Sequence, residues 1–246
     1  MNTVSVNVAC QGQERPFWYR ENSVGDNGVL QQIFVNGDYV ISHWPQGRRL
    51  LEYHQQYAHQ QASLIVDAGA NIGASAVFFA QTYENAIVFA IEPDEMNGRL
   101  LTQNTQSLAC VVFHGAIAAE DGVLALVDPG RSDWGFMTAR VDSLDSSHHQ
   151  KIPSICPQSI LNHPQVRHAR PLIFKIDIEG GEENLFSTNT DWLKEFPLVI
   201  IELHDWMLPF SGSSQNFLKA IAQYDFDLVH RGENIFLFNR ALLKSL

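Results

Sequence analysis

Ile65-Val66-Asp67-Ala68-Gly69-Ala70-Asn71-Ile72-Gly73 is an apolar run that ends in an acidic residue and a glycine-spaced turn, with small residues following. It reads as the strand, tight turn and helix start of a nucleotide-type cofactor site. Gly69 and Gly73 make G-x-x-x-G, whereas a turn that cradles a pyrophosphate carries G-x-G-x-x-G. The spacing favours a cofactor without phosphates.

Outward from this unit the chain alternates between strand and helix. Near-continuous apolar runs predict core strands over 64–67, 87–92, 111–114, 173–178 and 198–203, and helical spacing predicts helices over 72–81, 94–108 and 181–188. Such strands interleaved with helices form a mostly parallel sheet covered on both faces. The segments 226–230 and 235–238, joined through Gly232, predict an antiparallel hairpin at the end. The expected fold is therefore α/β and Rossmann-like, a seven-stranded doubly wound sheet of the class I methyltransferase kind. Residues 1–60, with alternation over 4–8 and a helix over 50–61, form a lead-in packing on the 61–246 domain. The stretch 128–171, rich in Pro, Ser and His, reads as an insertion or lid between the third and fourth core strands.

Composition narrows the function. Formal net charge is -11, which disfavours a phosphate backbone or an anionic membrane as partner. No apolar run reaches the ~18 residues of a spanning helix, so no membrane insertion is expected. Cys10, Cys110 and Cys156 form no Cys-x-x-Cys pair and read as reduced thiols, consistent with a cytoplasmic protein. Homo-oligomerisation is left open.

The polar residues at the carboxyl ends of the strands face the ligand crevice of such a sheet. Gly69 and Gly73 let the backbone turn tightly and approach a ligand, and Asn71 is placed to cap the next helix through the N–H of Gly73 or Ala74. Glu92 ends the second core strand and suits the two hydroxyls of a ribose.

Four blocks carry a family resemblance: 66–73, Ala90-Ile91-Glu92-Pro93, Lys175-Ile176-Asp177-Ile178-Glu179-Gly180-Gly181-Glu182, and Val199-Ile200-Ile201-Glu202-Leu203-His204. Together they resemble the successive motifs of the FkbM family of S-adenosylmethionine-dependent methyltransferases. The segments 29–34 and Asp38-Tyr39 are similar to what precedes the fold in that family. The resemblance implies S-adenosyl-L-methionine as cofactor, with Asp67, Gly69, Asn71 and Gly73 at its methionine end, Glu92 at the ribose, and Gly115-Ala116-Ile117 beside the adenine. It also implies transfer of a methyl group to a hydroxyl of a sugar, glycan or glycosylated natural product.

Methyl transfer needs an acceptor lone pair in line with the S–CH3 bond, and a hydroxyl acceptor benefits from a general base. Asp177, Glu179, Glu202 and His204 end two neighbouring strands and are expected to share one cleft. His204 is the preferred base, because an imidazole titrates near neutrality, and Asp205 could orient it. Asp177 is placed by the methyl donor and the acceptor, and Glu202 completes the catalytic set. Glu179 reads either as a substrate contact or as a cap of the following helix. Trp134, Phe136 and Trp206 are aromatics expected over the acceptor, suited to the apolar face of a sugar ring. The four polar residues also suit a divalent metal, but no pair has diagnostic spacing, so a metal is not the favoured reading.

Other functions fit less well. An NAD(P)-dependent oxidoreductase would need pyrophosphate glycines, and no Tyr-x-x-x-Lys pair is present. A catalytically silent binding module would be expected to have lost motif residues. An amino-directed nucleic-acid methyltransferase would typically carry Asn-Pro-Pro-Tyr or a relative of it where Asp177-Ile178-Glu179-Gly180 stands.

Overall fold

A computed structural model describes residues 2–10, 12–127, 137–140 and 150–244. The chain opens with an antiparallel hairpin, β1 (Thr3–Cys10) and β2 (Gln13–Arg20). Helix α1 (Val24–Leu30) runs directly into a π-helical turn at Gln31–Val35, and α2 (Pro45–Ala58) follows. Ser23 starts α1 by accepting the Asp26 N–H, and Asp26 in turn takes the backbone N–H and side chain of Arg20.

The core then proceeds as β3 (Ser63–Ala68), α3 (Ala74–Thr82), β4 (Ala86–Glu92), α4 (Glu95–Thr105) and β5 (Cys110–His114). Four strands follow: β6 (Ala116–Ile117), β7 (Gly122–Val127), β8 (Met137–Arg140) and β9 (Gln150–Ile155). The core resumes with α5 (Pro157–Leu161), β10 (Arg170–Ile176), α6 (Glu182–Leu185), a 3-10 turn at Thr190–Glu195 and β11 (Leu198–Glu202). Helix α7 (Gln215–Ile221), the hairpin β12 (Phe226–Arg231) and β13 (Asn234–Asn239), and α8 (Arg240–Leu243) complete the described chain.

The main sheet has seven strands in the order β12-β13-β11-β10-β3-β4-β5. Five neighbours, β11 through β5, run parallel, and β13 is antiparallel to both β11 and β12. The order proceeds outward from β3 through β4 to β5 on one side and starts again at β10 on the other. That reversal puts the ligand crevice beyond the carboxyl ends of β3 and β10.

Both faces of the central sheet are covered, which is why its inner strands read as near-continuous apolar runs rather than alternating. Every residue of β3 is buried. On one face Ile65, Val88, Ile173 and Ile200 pack with α3 and with Phe17, Ile33, Tyr39 and Leu50 of the lead-in. On the other Val66, Phe89, Phe174 and Val199 pack with Trp192, Phe196 and Phe217. The lead-in thus shares the main core. Polar ties add to this: Asn104 of α4 accepts the Trp18 N–H at 2.7 Å and donates to the Trp18 carbonyl at 2.9 Å.

Within the stretch read as an insertion or lid over 128–171, the described residues include β8, β9, α5 and the start of β10. Strands β6, β9, β7 and β8 form a second, four-stranded sheet with its own small core, including Ala116, Leu124 and Ile152. Pro153 argues against a strand in the sequence, yet the ladder from β9 to β6 covers only Ser154 and Ile155. The expected helix over 181–188 shortens to Glu182–Leu185, and the fourth core strand ends at Ile176, which leaves Asp177 beyond it.

Candidate functional site

The turn after β3 is built from left-handed residues: Gly69 at φ 77°, Asn71 at φ 50° and Gly73 at φ 94°. Gly69 and Ala70 both donate to the Ile91 carbonyl at 3.0 Å, which fixes the turn against β4. A β-carbon on Gly69 would lie 1.7 Å from the Asp177 carbonyl oxygen, so the turns after β3 and β10 touch backbone to backbone. A β-carbon on Gly73 would lie 2.9 Å from Leu101 of α4. The sequence reading assigned these glycines to close approach of a ligand; the close approach at both is to the protein itself.

Asn71 does not cap α3. Its side-chain oxygen accepts the N–H of Ile72 at 2.7 Å, and Gly73 occupies the cap position without a side-chain bond. The left-handed step at Asn71 delays the helix start beyond the reach of its side chain. The Asn71 N–H instead donates to Glu92 Oε2 at 2.8 Å, while Glu92 Oε1 accepts from the Asp94 N–H at 3.0 Å. Burial pushes the Glu92 carboxyl up to about 7, against the pull of those backbone bonds.

Asp67 was expected at the ligand. It is fully buried, accepting the Ser75 hydroxyl at 2.6 Å and pairing with Lys175 Nζ at 3.2 Å. Register explains this, since Lys175 of β10 lies directly beside Asp67 of β3. Lys175 also donates to the Gly69 carbonyl at 2.7 Å and lies 3.6 Å from Asp177 Oδ2. Burial works against its charge, but the anionic neighbours, Asp67 foremost, outweigh that and hold it protonated. The sequence had suggested no role for Lys175; its role is to stiffen the crevice from beneath.

A cavity opens above this pair. From the sheet it is lined by Gly69, Asn71, Ser75, Lys175, Asp177 and Glu202. The lead-in supplies its other wall through Gln32, Ile33, Asp38 and Tyr39, and the terminal hairpin adds Asn234. Of the expected cofactor residues, Gly69, Asn71 and Asp177 line it. Ala116 is buried in the core of the second sheet instead.

At the ends of β10 and β11, Asp177, Glu179, Glu202 and His204 do come together. His204 is 1% exposed, and its Nε2 lies 3.6 Å from Asp177, 3.5 Å from Glu179 and 3.5 Å from Glu202. Its Nδ1 is 2.8 Å from Oε1 of Glu182, a residue buried at the start of α6. Burial alone would lower the imidazole, but the neighbouring carboxylates, Glu182 on Nδ1 first and Glu202 beside Nε2 next, raise it to about 11. Four carboxylates thus enclose the ring that the sequence reading takes as the general base.

Glu182 also displaces Asp205 as the orienting group, since Asp205 faces the Ser214 N–H at 3.5 Å. Glu179 does not cap α6, whose cap position is Gly181. Burial and then Asp177 push Glu179 up to about 7, and burial raises Glu202 in the same direction. Trp206 is 63% exposed and lines a separate surface hollow with Leu203, His230 and Glu233. Trp134 and Phe136 lie outside the described residues. Sequence reasoning gave no role to Lys175, Glu182 or the lead-in wall; their signal was the family resemblance, which covers Lys175 and Glu182 in the 175–182 block and the wall in 29–34 and Asp38-Tyr39.

The sequence model of the Methyltransferase FkbM domain matches residues 67–229, well over half of the chain. Among solved structures, the O-methyltransferase from Bacillus cereus in complex with SAH is 14% identical, covering 86% of this chain and 88% of that one, with a TM-score of 0.43. Fibrillarin from Aeropyrum pernix, with natively bound S-adenosyl-L-methionine, is 10% identical over 72% of this chain and 66% of its own, with a TM-score of 0.40. No curated protein matches the chain.

Proposed function

From the premise that this chain belongs to the FkbM methyltransferase family, we propose that it transfers the methyl group of S-adenosyl-L-methionine to a hydroxyl of a sugar, glycan or glycosylated natural product. The observation that carries this reading is the carboxylate set at the ends of β10 and β11, two of whose members, Asp177 and Glu202, line the cavity at the switch point. Several carboxylates at one mouth are suited to accept hydrogen bonds from the neighbouring hydroxyls of a polyol and to take up a proton. The formal charge of -11 fits a neutral acceptor better than a nucleic acid.

The cofactor fits the residues present. The turn from Gly69 to Asn71, together with Asp38 and Asp177, offers polar partners for the amino and carboxylate groups of the methionine end, and Glu92, the expected ribose partner, is buried behind that turn with its carboxylate on the Asn71 N–H. The sulfonium supplies an activated methyl group and its own leaving group. What the protein adds is position and proton removal. With the cofactor bound, Asp177 would hold the acceptor hydroxyl, and Glu202, 15% exposed at the cavity wall, would accept its proton while the sulfonium supplies the methyl group.

The test is methyl transfer from labelled cofactor to a panel of glycosides, with amines and RNA as competing acceptors. Methyl ethers on the glycosides are expected, with turnover falling by about 10²–10⁴-fold in Glu202→Gln while binding of S-adenosylhomocysteine is retained. Label found only on amines or RNA would overturn the reading.

A further inference from the structure

His204 is almost wholly buried, yet only one of its ring nitrogens has an ordinary hydrogen bond. Nδ1 is taken by Glu182 at 2.8 Å, while Nε2 faces three carboxylates at 3.5, 3.5 and 3.6 Å. Those separations exceed the usual hydrogen-bond length of about 2.7–3.2 Å. Glu179 Oε2, one of the three facing oxygens, is a buried atom with no hydrogen-bond partner. Asp177, Glu179 and His204 each offer one donor atom, and these atoms lie within 4.8 Å of one another.

The spacing has a physical reading. Two donors bound to one ion at about 2.1 Å stand about 3.0 Å apart at a right angle and about 3.5 Å apart at a tetrahedral one. The distances around Nε2 are therefore those of ligands that share an ion. The second layer agrees: a buried carboxylate on the far nitrogen fixes the tautomer and aims the other lone pair at a metal. Charge agrees as well. Four carboxylates surround one imidazole, and the nearby Lys175, 3.2 Å from Asp67, lies beside only one of them, Asp177, at the longer distance of 3.6 Å.

We propose that Asp177, Glu179 and His204 bind a divalent cation, with Glu182 as the positioning residue behind His204. Two carboxylates and one imidazole suit a first-row ion such as Mn2+. Three protein donors leave coordination positions open. The proposal deepens the methyl-transfer reading and rests on it for one point, that those positions hold the acceptor oxygen; Glu202, 3.5 Å from the same nitrogen but not among the three mutually close donors, is left to take the proton.

The experiment is a titration of the chelator-stripped full chain with Mn2+, read by loss of the free-ion electron paramagnetic resonance signal. One Mn2+ per chain is expected. Glu179→Gln and His204→Gln should each weaken binding at least tenfold, and Glu182→Gln by about 10–100-fold, all in protein that circular dichroism shows to be folded. If one of these variants does not fold, Asp177→Asn gives the same readout. No binding by the wild-type chain, or equal binding by wild type and the folded variants, would overturn the site. Calorimetry with S-adenosylhomocysteine on the same samples separates the two ideas: Mn2+ bound without it would sink the cofactor reading alone, and the reverse would sink only the metal.

Discussion

Lys175 with Asp67 lies within the neighbouring strands β10 and β3, and the His204 cluster gathers just past the ends of β10 and β11; the two are built from similar kinds of side chain. The first is closed: the Lys175 and Asp67 side chains are 3% and 0% exposed, one cation meets one central anion, and carbonyls and a serine take the remaining bonds. The second is open and unbalanced, with one imidazole among four carboxylates, of which Asp177 is 30% exposed. Inside a sheet an ion must be matched or it destabilises the fold. At the crevice an excess of charge can persist because water, a substrate or an ion completes it. Balance marks the scaffold, and imbalance marks the place where chemistry is left to something else.

The sharpest way to break this contrast is Lys175→Met. It leaves Asp67 buried without its cation, and removing one partner of a buried pair costs about 3–5 kcal/mol. For a chain of this size that corresponds to a fall in melting temperature of roughly 10 °C, measurable by calorimetry. A fall of only a degree or two would mean that Asp67 is held by Ser75 alone and that the pair is not structural.

Glu92 lies between the two regimes, buried like Asp67 but bonded to Asn71, which lines the cavity. Its carboxyl titrates at about 7 in the folded chain, against an ordinary value of 4.5. Between those values the folded chain keeps a proton that the unfolded chain has released, so stability declines as pH rises through the window and levels off above it. The contribution at issue is at most about 3 kcal/mol. Denaturant unfolding at pH 5 and pH 8 should show the decline in wild type and a smaller one in Glu92→Gln; identical slopes would place Glu92 outside the titration.

Gly73→Ala tests the closed side more gently. The φ of 94° and the contact with Leu101 predict a loss of about 2 kcal/mol, with cofactor affinity unchanged in the folded variant. Lost affinity without lost stability would restore the reading in which this glycine faces the ligand.

The rhythm of buried strands, the terminal hairpin and the gathering of Asp177, Glu202 and His204 were legible because they follow from periodicity and strand ends. The partnership of Lys175 with Asp67 was not, since it depends on the register of two strands far apart in sequence. Nor was the fate of Asn71: one left-handed residue moves a helix start, and composition does not reveal φ. The second sheet was hidden because Pro153 mimics a loop signal. The sequence reading grouped Asp177, Glu179, Glu202 and His204 as residues that suit a divalent metal without favouring one, because donors on two elements have no diagnostic spacing until the chain folds.

The smallest expected effect bears most directly on the contrast. Asp177→Asn removes one negative charge from the open cluster and only a long contact, 3.6 Å, from Lys175. If the cluster is an unbalanced site, relief of repulsion on Glu179 and Glu202 should offset the weakened contacts to Lys175 and His204, and stability should move by no more than about 1 kcal/mol. A structural ion-pair network would behave otherwise, losing several kcal/mol when one buried partner is removed. Urea unfolding of the metal-free variant therefore distinguishes the two natures of the crevice, and a large destabilisation would mean that Asp177 belongs with Lys175 and Asp67 to the scaffold.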